Sequence, residues 1–131
     1  MYLVKKKWGN AKKCDYNNFL YDSRFEAQHA ADLDLMLKAG EIKGYDKQKT
    51  LDLIVNGYIV CTYRIDFIVY HNDGTTEYVE LKGFDTPVWR LKWKLFESLF
   101  SELPNVKLTV IYQGKQKRTP KPKRIKKIGY K

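Results

Sequence analysis

Two carboxylates and a lysine lie on neighbouring segments of this chain, in an order that suits a metal site with a helper base. Asp66 lies in the run 62–70, and Glu80 and Lys82 lie two residues apart in the run 77–83. Carboxylate oxygens are ligands that Mg²⁺ prefers, and a lysine beside them can stabilise developing negative charge. These residues therefore predict metal-assisted hydrolysis of a phosphodiester.

A linker rich in turn residues, 71–75, joins the two runs and predicts a β-hairpin. A three-residue loop with Gly74 in the left-handed region places Asp66 opposite Glu80. Because side chains alternate between the faces of a strand, we expect Glu80 and Lys82 on the face of Asp66. Asp66 and Glu80 are then the expected metal ligands, with the Leu81 carbonyl as a further ligand.

These residues also have an interpretation without chemistry. Glu80 and Lys82 fit the solvent-facing positions of an alternating strand, and Asp66 fits a half-exposed one. The neighbours of Asp66 argue against this, because a continuous apolar run is typical of a strand buried on both faces. An acid within such a run needs a partner or a ligand. The apolar neighbours are Ile65, Phe67, Ile68 and Val69.

A third acid, Glu26, lies at the start of a predicted helix from about Arg24 to Lys38, which Gly40 ends. Ser23 with Glu26 three residues later forms a capping box, which by itself explains a glutamate there. Glu26 also falls near the middle of an apolar stripe, where a charge is costly unless it is paired or binds metal. Both roles stay open. The stripe comprises Phe25, His29, Ala30, Leu33, Met36 and Leu37.

The rest of the pattern predicts four strands and a second helix. Runs 45–55 and 58–70 flank Asn56-Gly57, a favoured hairpin turn, and run 77–82 adds a third antiparallel strand. Thr86 and Pro87 begin a helix that runs to about Ser101, and run 106–112 is the last strand. A helix between the last two strands predicts parallel neighbours in a mixed sheet. The second helix is predicted to bury Val88, Leu91, Leu95 and Leu99, with Trp89, Trp93 and Phe96 broadening that face.

The net charge of +10 is concentrated in two basic arms. Residues 1–13 contain five lysines, and residues 114–131 contain seven lysines and two arginines, in both cases without an acid. Such arms suit a polyanion such as DNA. A solubilising tail, or one that binds RNA, is the alternative. Lysine–proline sequences predict an extended C-terminal arm.

Length and composition narrow the class of protein. The 131 residues suffice for one domain with a sizeable core. Cys14 and Cys61 have neither metal-ligand spacing nor a disulfide framework, so two reduced thiols are expected. No apolar run is long enough to span a bilayer, and the N-terminus lacks the apolar core of a signal peptide. We therefore expect a cytoplasmic protein with no membrane partner and no organic cofactor.

With these residues in place, the chain resembles the PD-(D/E)XK nuclease superfamily, whose core has the element order αβββαβ. More narrowly, it is similar to small phage and prophage proteins that are often compared with Holliday-junction resolvases. Ile65 stands where the name-giving proline would be. The match covers about residues 8 to 112 and runs through Gly9-Asn10, Lys12-Lys13, Asp22-Ser23, Glu26, Ala39-Gly40-Glu41-Ile42, Gln48, Asp66-Phe67 and Val79-Glu80-Leu81-Lys82-Gly83.

The resemblance implies a restriction-endonuclease-like α/β fold with a mixed sheet in residues 22–113, between an N-terminal arm, 1–21, and a C-terminal tail, 114–131. It implies that Glu26, Asp66, Glu80 and Lys82 are catalytic, that Glu26 joins the metal ligands, and that Gln48 lies at the edge of the site. The implied cofactor is Mg²⁺, with Mn²⁺ as a substitute.

The expected activity is cleavage of branched DNA in a bacterial host cell by a phage- or prophage-encoded enzyme. Resolving a four-way junction needs two symmetric cuts, which predicts a homodimer. Cleavage of flap, mismatched or linear duplex DNA is the close alternative, and a non-catalytic nucleic-acid-binding module is the other. Arg90 and Lys94 could equally form a solvated helix face. The candidate DNA-contacting residues are Gln48, Arg90, Lys92, Lys94, Lys12, Lys13, Lys117 and Arg118.

Overall fold

The computed structural model describes residues 13–113 and 122–124, so Lys12, Lys117 and Arg118 lie outside the described residues. The elements are β1 (Cys14–Tyr16), β2 (Phe19–Tyr21), α1 (Arg24–Lys38), β3 (Ile42–Val55), β4 (Tyr58–His71), β5 (Thr76–Lys82), α2 (Pro87–Phe100) and β6 (Val106–Tyr112). Four strands form one sheet in the order β3-β4-β5-β6, and β1 pairs with β2 in a separate hairpin. In the larger sheet β5 and β6 are parallel and the other neighbours antiparallel, which confirms the predicted mixed α/β fold and its crossover helix.

Helix α1 begins and ends where its capping residues predict. The Ser23 hydroxyl oxygen accepts a hydrogen bond from the Glu26 backbone N–H at 3.1 Å. Gly40 has a φ of 73°, which lets the N–H groups of Gly40 and Glu41 return to carbonyls of the last turn. Both ends of α1 are thus fixed by local chemistry, which holds Glu26 in the first turn of the helix.

The β4–β5 hairpin has the predicted loop and register. Gly74 adopts a φ of 90°, and the His71 N–H donates to the Thr75 carbonyl at 2.9 Å across the loop. Pairs run from Tyr70 opposite Thr76 to Phe67 opposite Val79. Beyond that last pair, β5 continues beside β6 until Lys82 lies opposite Tyr112. The site-bearing end of β5 is therefore held by β6.

Two hydrophobic clusters fill the space between the sheet and its two helices. The first cluster contains residues of α1 and β5 and the second contains residues of α2, while β4 contributes buried residues to both. Tyr78 of β5 is partly buried against the second cluster. Neither helix of the described chain is long and apolar enough to cross a membrane. The first cluster comprises Tyr21, Ala27, Ala30, Leu33, Ile42, Phe67, Val69, Val79 and Leu81; the second comprises Leu53, Tyr63, Ile65, Ile68, Trp89, Trp93 and Phe96.

The N-terminal lead-in contributes to the first cluster. Asn17 and Asn18 both have positive φ, as in a tight two-residue turn, and they join β1 to β2. Tyr21 at the end of β2 is fully buried. The turn residues of this segment are evident in the sequence, but its two strands are not, because strands of three residues leave almost no periodic pattern.

The predicted buried face of α2 is wrong for two residues. Val88 is 66% exposed and Leu91 is 71% exposed, while the residues that face the sheet are aromatic. Large rings bury more apolar area than Val or Leu, so the aromatic stripe is turned inward. In α1, Leu37 of the predicted stripe is likewise exposed. The buried residues of α2 are Trp89, Trp93 and Phe96.

Candidate active site

The side chains of strand β4 change faces at Asp66. On one side of Asp66, Tyr63 and Ile65 face the second cluster, whereas on the other side Phe67 and Val69 face the first. Residues two apart in a regular strand share a face, so the strand makes a half-turn between Ile65 and Phe67. Asp66 lies at that half-turn, which removes its side chain from both apolar faces.

Strand β3 carries the matching irregularity at Gln48. Lys47 pairs with Phe67 and Lys49 pairs with Ile65, so Gln48 is the residue across from Asp66. Gln48 has a φ of 49°, the left-handed region that residues other than glycine seldom adopt. A residue held in this conformation within a strand stores strain, and such strain is common at functional sites.

The carboxylate of Asp66 takes the place of a ladder hydrogen bond. Its Oδ2 accepts the backbone N–H of Leu81 at 2.8 Å, just beyond the last β4–β5 pair. This bond fixes Asp66 between the two strands. The N–H and C=O of one strand residue project to the same side, so the Leu81 carbonyl is directed toward the same gap.

Glu80 and Lys82 form the second part of the site. Glu80 is 4% exposed, and its Oε1 lies 3.4 Å from the Nζ of Lys82. The ammonium of Lys82 also lies 4.6 Å from the centroid of the Trp89 ring, a cation–π distance. Trp89 in turn donates its indole N–H to the Tyr63 hydroxyl at 3.1 Å. Lys82 is thus held in place between a carboxylate and an aromatic ring.

Glu26 enters the site from helix α1 and is 8% exposed. Its carboxyl lies within hydrogen-bonding reach of Asp66 and is also 3.4 Å from the Ser23 hydroxyl. The structure therefore confirms the capping role of Ser23 and places Glu26 beside Asp66. Capping and a role at the site coexist in this geometry.

Burial of these acids raises their pKa values. Burial, followed by the hydrogen bond with Asp66, raises the pKa of Glu26 to about 8. Burial and the charge of Glu80 raise the pKa of Asp66 to about 6. Burial also raises the pKa of Glu80, against the opposing effect of Lys82. The larger rise at Glu26 makes Glu26 the easier of the two acids to protonate in the absence of a cation.

The three acids of the site interact in two pairs, Glu26 with Asp66 and Asp66 with Glu80. Within residues 13–113 and 122–124, no three side chains of His, Cys, Asp or Glu converge as a ready metal-binding cluster. One observation nevertheless fits a cation at Asp66 and Glu80: among the described residues, the buried Oε2 of Glu80 makes no hydrogen bond of normal geometry, although the Tyr63 hydroxyl interacts with the Glu80 carboxylate. A buried carboxylate oxygen without a well-placed donor is costly, and a divalent ion would satisfy it. The prediction that Glu26 is a further metal ligand stays a prediction.

The predicted DNA-contacting residues are spread over different parts of the fold. Arg90 forms an ion pair with Asp85 at 3.5 Å, and Lys92 donates from Nζ to the Thr62 carbonyl at 3.0 Å. Lys94 and Arg90 line one shallow cleft on α2, and Lys13 is exposed at the first described position. Arg90 and Lys92 therefore already make contacts within the fold.

Gln48 lies across from Asp66 on the neighbouring strand, at the edge of the candidate site. Its Oε1 accepts a hydrogen bond from Arg64, which also forms an ion pair with Asp22 at 3.5 Å, next to the cap of α1. The buried Nε2 of Gln48 has no partner among the described residues. The residue pattern alone gave no signal for Gln48; the family resemblance did. Arg64 was not predicted, and Asp22 entered only as part of the Asp22-Ser23 match of the resemblance, because surface charges on a strand and a loop are ordinary.

A known protein family matches most of the chain. Its description is "Protein of unknown function (DUF1064)", and the match covers residues 5–118. The chain belongs to this family. No curated protein matches the DUF1064 chain. The matched range includes Glu26, Asp66, Glu80 and Lys82, so the whole candidate site lies within the family region.

Proposed function

We propose that this DUF1064 protein is a metal-dependent DNA endonuclease of the PD-(D/E)XK type. The observation that carries the proposal is the arrangement around Leu81. The Leu81 N–H holds Asp66 at 2.8 Å, and the adjoining Glu80 has a buried oxygen that makes no hydrogen bond of normal geometry among the described residues. A pure binding module gains nothing from buried acids that raise one another's pKa values.

Each side chain of the site has a distinct role in this proposal. Asp66, Glu80 and the Leu81 carbonyl would hold Mg²⁺ or Mn²⁺, which supplies charge neutralisation and an activated water when bound. Lys82 orients the attacking water or stabilises the charge that develops on the phosphoryl oxygens. Glu26 orients Asp66 through their hydrogen bond and is the proposed further ligand.

The proposed substrate is branched DNA, and the basic arms would supply phosphate contacts beyond the site. A homodimer with two such sites could make paired cuts in a four-way junction. Flap, mismatched and linear duplex DNA are the competing substrates of the same chemistry. The bacterial cytoplasm, during phage recombination or replication, is the proposed setting.

The deciding experiment is cleavage of labelled four-way junction, flap and linear duplex DNA with Mg²⁺ or Mn²⁺. We expect Asp66→Asn to lower the cleavage rate about a thousandfold or more, because metal catalysis contributes several kcal/mol. Asparagine can still accept the Leu81 N–H, so the fold should survive. Asp52→Asn, an exposed acid on β3, is the matched control and should cleave normally. Activity that survives in Asp66→Asn would overturn the site assignment.

One observation favours the non-catalytic binding module: the described residues lack a ready three-acid cluster. That module would bind DNA without cutting any of the three substrates, and Asp66→Asn would leave its binding unchanged. Paired symmetric cuts in the junction alone would identify a resolvase. Cuts in the other substrates would support the nuclease and change its substrate.

A further inference from the structure

Helix α2 has a second apolar face that the sheet does not cover. Val88 and Leu91 lie one turn apart on this outer face and are among the most exposed apolar side chains of the described chain. Pro87, Arg90, Leu91 and Lys94 line a shallow cleft of about 340 Å³ there. Phe84, in the loop between β5 and α2, is 60% exposed as well. Exposed apolar residues one helical turn apart, such as Val88 and Leu91, mark a binding surface, and Phe84 precedes them along the chain.

The outer face lies beside the candidate active site. Lys82 packs on the ring of Trp89, and Trp89 lies in the first turn of α2 between Val88 and Arg90. Phe84 follows Lys82 by two residues, on the loop that leaves the site-bearing strand. An extended ligand that reaches Lys82 along this side of the molecule would therefore pass over the outer face.

The charges around the outer face indicate what covers it. Residues 87–96 contain Arg90, Lys92 and Lys94 and no acid, and the one acid of the preceding loop, Asp85, forms an ion pair with Arg90, which leaves a net positive charge. If a second copy of this chain packed its own outer face here, like charges would meet, which is unfavourable. A partner that carries both flat apolar groups and negative charge matches this surface better.

We propose that the outer face of α2 binds unpaired nucleotides of the substrate strand. Bases in a duplex are stacked and hidden, and duplex backbone offers phosphates but no apolar surface. Unpaired bases expose flat faces that pack on Phe84, Val88 and Leu91, while Arg90 and Lys94 contact the phosphates. This inference rests on the proposed function for the position of the reacting phosphate. It specifies the substrate as DNA with a single-stranded segment next to the cut.

The test is binding of a fluorescent single-stranded oligonucleotide and a duplex of equal length, measured by anisotropy in EDTA so that no cleavage occurs. We expect Val88→Gln/Leu91→Gln to weaken single-strand binding about tenfold and to leave duplex binding unchanged. Both positions are exposed and glutamine suits a helix, so the variant should fold. Leu35→Gln, at a residue of α1 that is 65% exposed, is the matched control and should bind both probes normally.

Several outcomes would overturn the inference. Equal weakening for single strand and duplex, or no weakening, would remove the preference for unpaired bases. A change from dimer to monomer in light scattering, with unchanged binding of both probes, would show that a second copy covers the face. Selective loss of binding to phosphatidylserine-containing vesicles would assign the face to a membrane surface. Because the assay needs no cleavage, its result is independent of whether the protein is a nuclease.

Discussion

The buried acids of the site make the stability of this protein depend on pH. The pKa values of Glu26 and Asp66 are raised to about 8 and about 6 by burial and by their acidic neighbours. A folded-state pKa above the unfolded value means that folding favours the protonated acid. The contribution of each acid to stability is therefore fully present below the unfolded pKa near 4 and is lost as the pH rises through the folded pKa.

In EDTA, we expect the free energy of unfolding to fall by up to about 5 kcal/mol between pH 5 and pH 9 because of these two acids. Mn²⁺ should restore stability more at pH 8.5 than at pH 5, since a cation replaces the protons that the acids have lost. Thermal unfolding across this pH range, with and without Mn²⁺, measures both effects.

The Glu26→Gln variant provides the control for this pH dependence. Glutamine keeps the capping position favourable but does not titrate, so its stability should fall less with pH than that of the wild type. Parallel curves for the two proteins would contradict the assignment of the high-pH step to Glu26.

At the scale of the elements, short-range signals predicted the boundaries well. Ser23 and Gly40 fixed the ends of α1, and Gly74 fixed the register of the β4–β5 hairpin, because caps and turns act within a few residues. The half-turn at Asp66 was not predicted. Regular alternation of side chains was assumed along the whole of β4, whereas the strand faces first one hydrophobic cluster and then the other. The buried face of α2 was also predicted only in part. The helix has an aliphatic and an aromatic stripe, and only packing against the sheet determines which of them is buried.

The left-handed backbone of Gln48 lies across from the half-turn of β4, and we expect the site to depend on it. Gln48→Val should destabilise the fold by about 1–3 kcal/mol and weaken Mn²⁺ binding, because a β-branched residue is disfavoured at positive φ. Gln48→Gly relieves the strain and should retain Mn²⁺ affinity. Calorimetric titration of Mn²⁺ and thermal unfolding provide the two measurements.

Thr50→Val is the matched control, since Thr50 lies at an ordinary exposed position of the same strand. It should leave both quantities nearly unchanged. If the valine and glycine variants of Gln48 lose Mn²⁺ affinity equally, the side-chain amide and not the backbone conformation supports the site.

At the scale of the whole molecule, charge and chemistry are carried by different regions. The candidate site is built from buried acids of the folded core, whereas residues 114–131 carry nine cations and no acid. The described part of this tail, residues 122–124, lines a cleft with the end of α2 and the start of β6, where Arg124 forms an ion pair with Glu102. An exposed pair of this kind contributes little to stability, so a polyanion can compete for the arginine.

Deleting residues 114–131 should weaken DNA binding and make it less sensitive to salt. Each phosphate contact that is lost makes the negative slope of log K against log salt concentration shallower by about 0.9. Dissociation constants for duplex DNA between 50 and 200 mM NaCl measure this slope. The full-length Asp66→Asn protein, which should bind the DNA without cutting it, is the reference. An unchanged slope would assign the tail to solubility and not to DNA.

Strand β4 belongs to both hydrophobic clusters because of its half-turn. Phe67 and Val69 anchor it in the cluster below α1, and Tyr63 and Ile65 anchor it in the cluster below α2. Because both clusters pack on β4, loss of packing in one displaces a strand that also belongs to the other. The two clusters should therefore unfold as one cooperative unit. Asp66 lies where the two meet, and the acids should keep their positions until the whole domain unfolds.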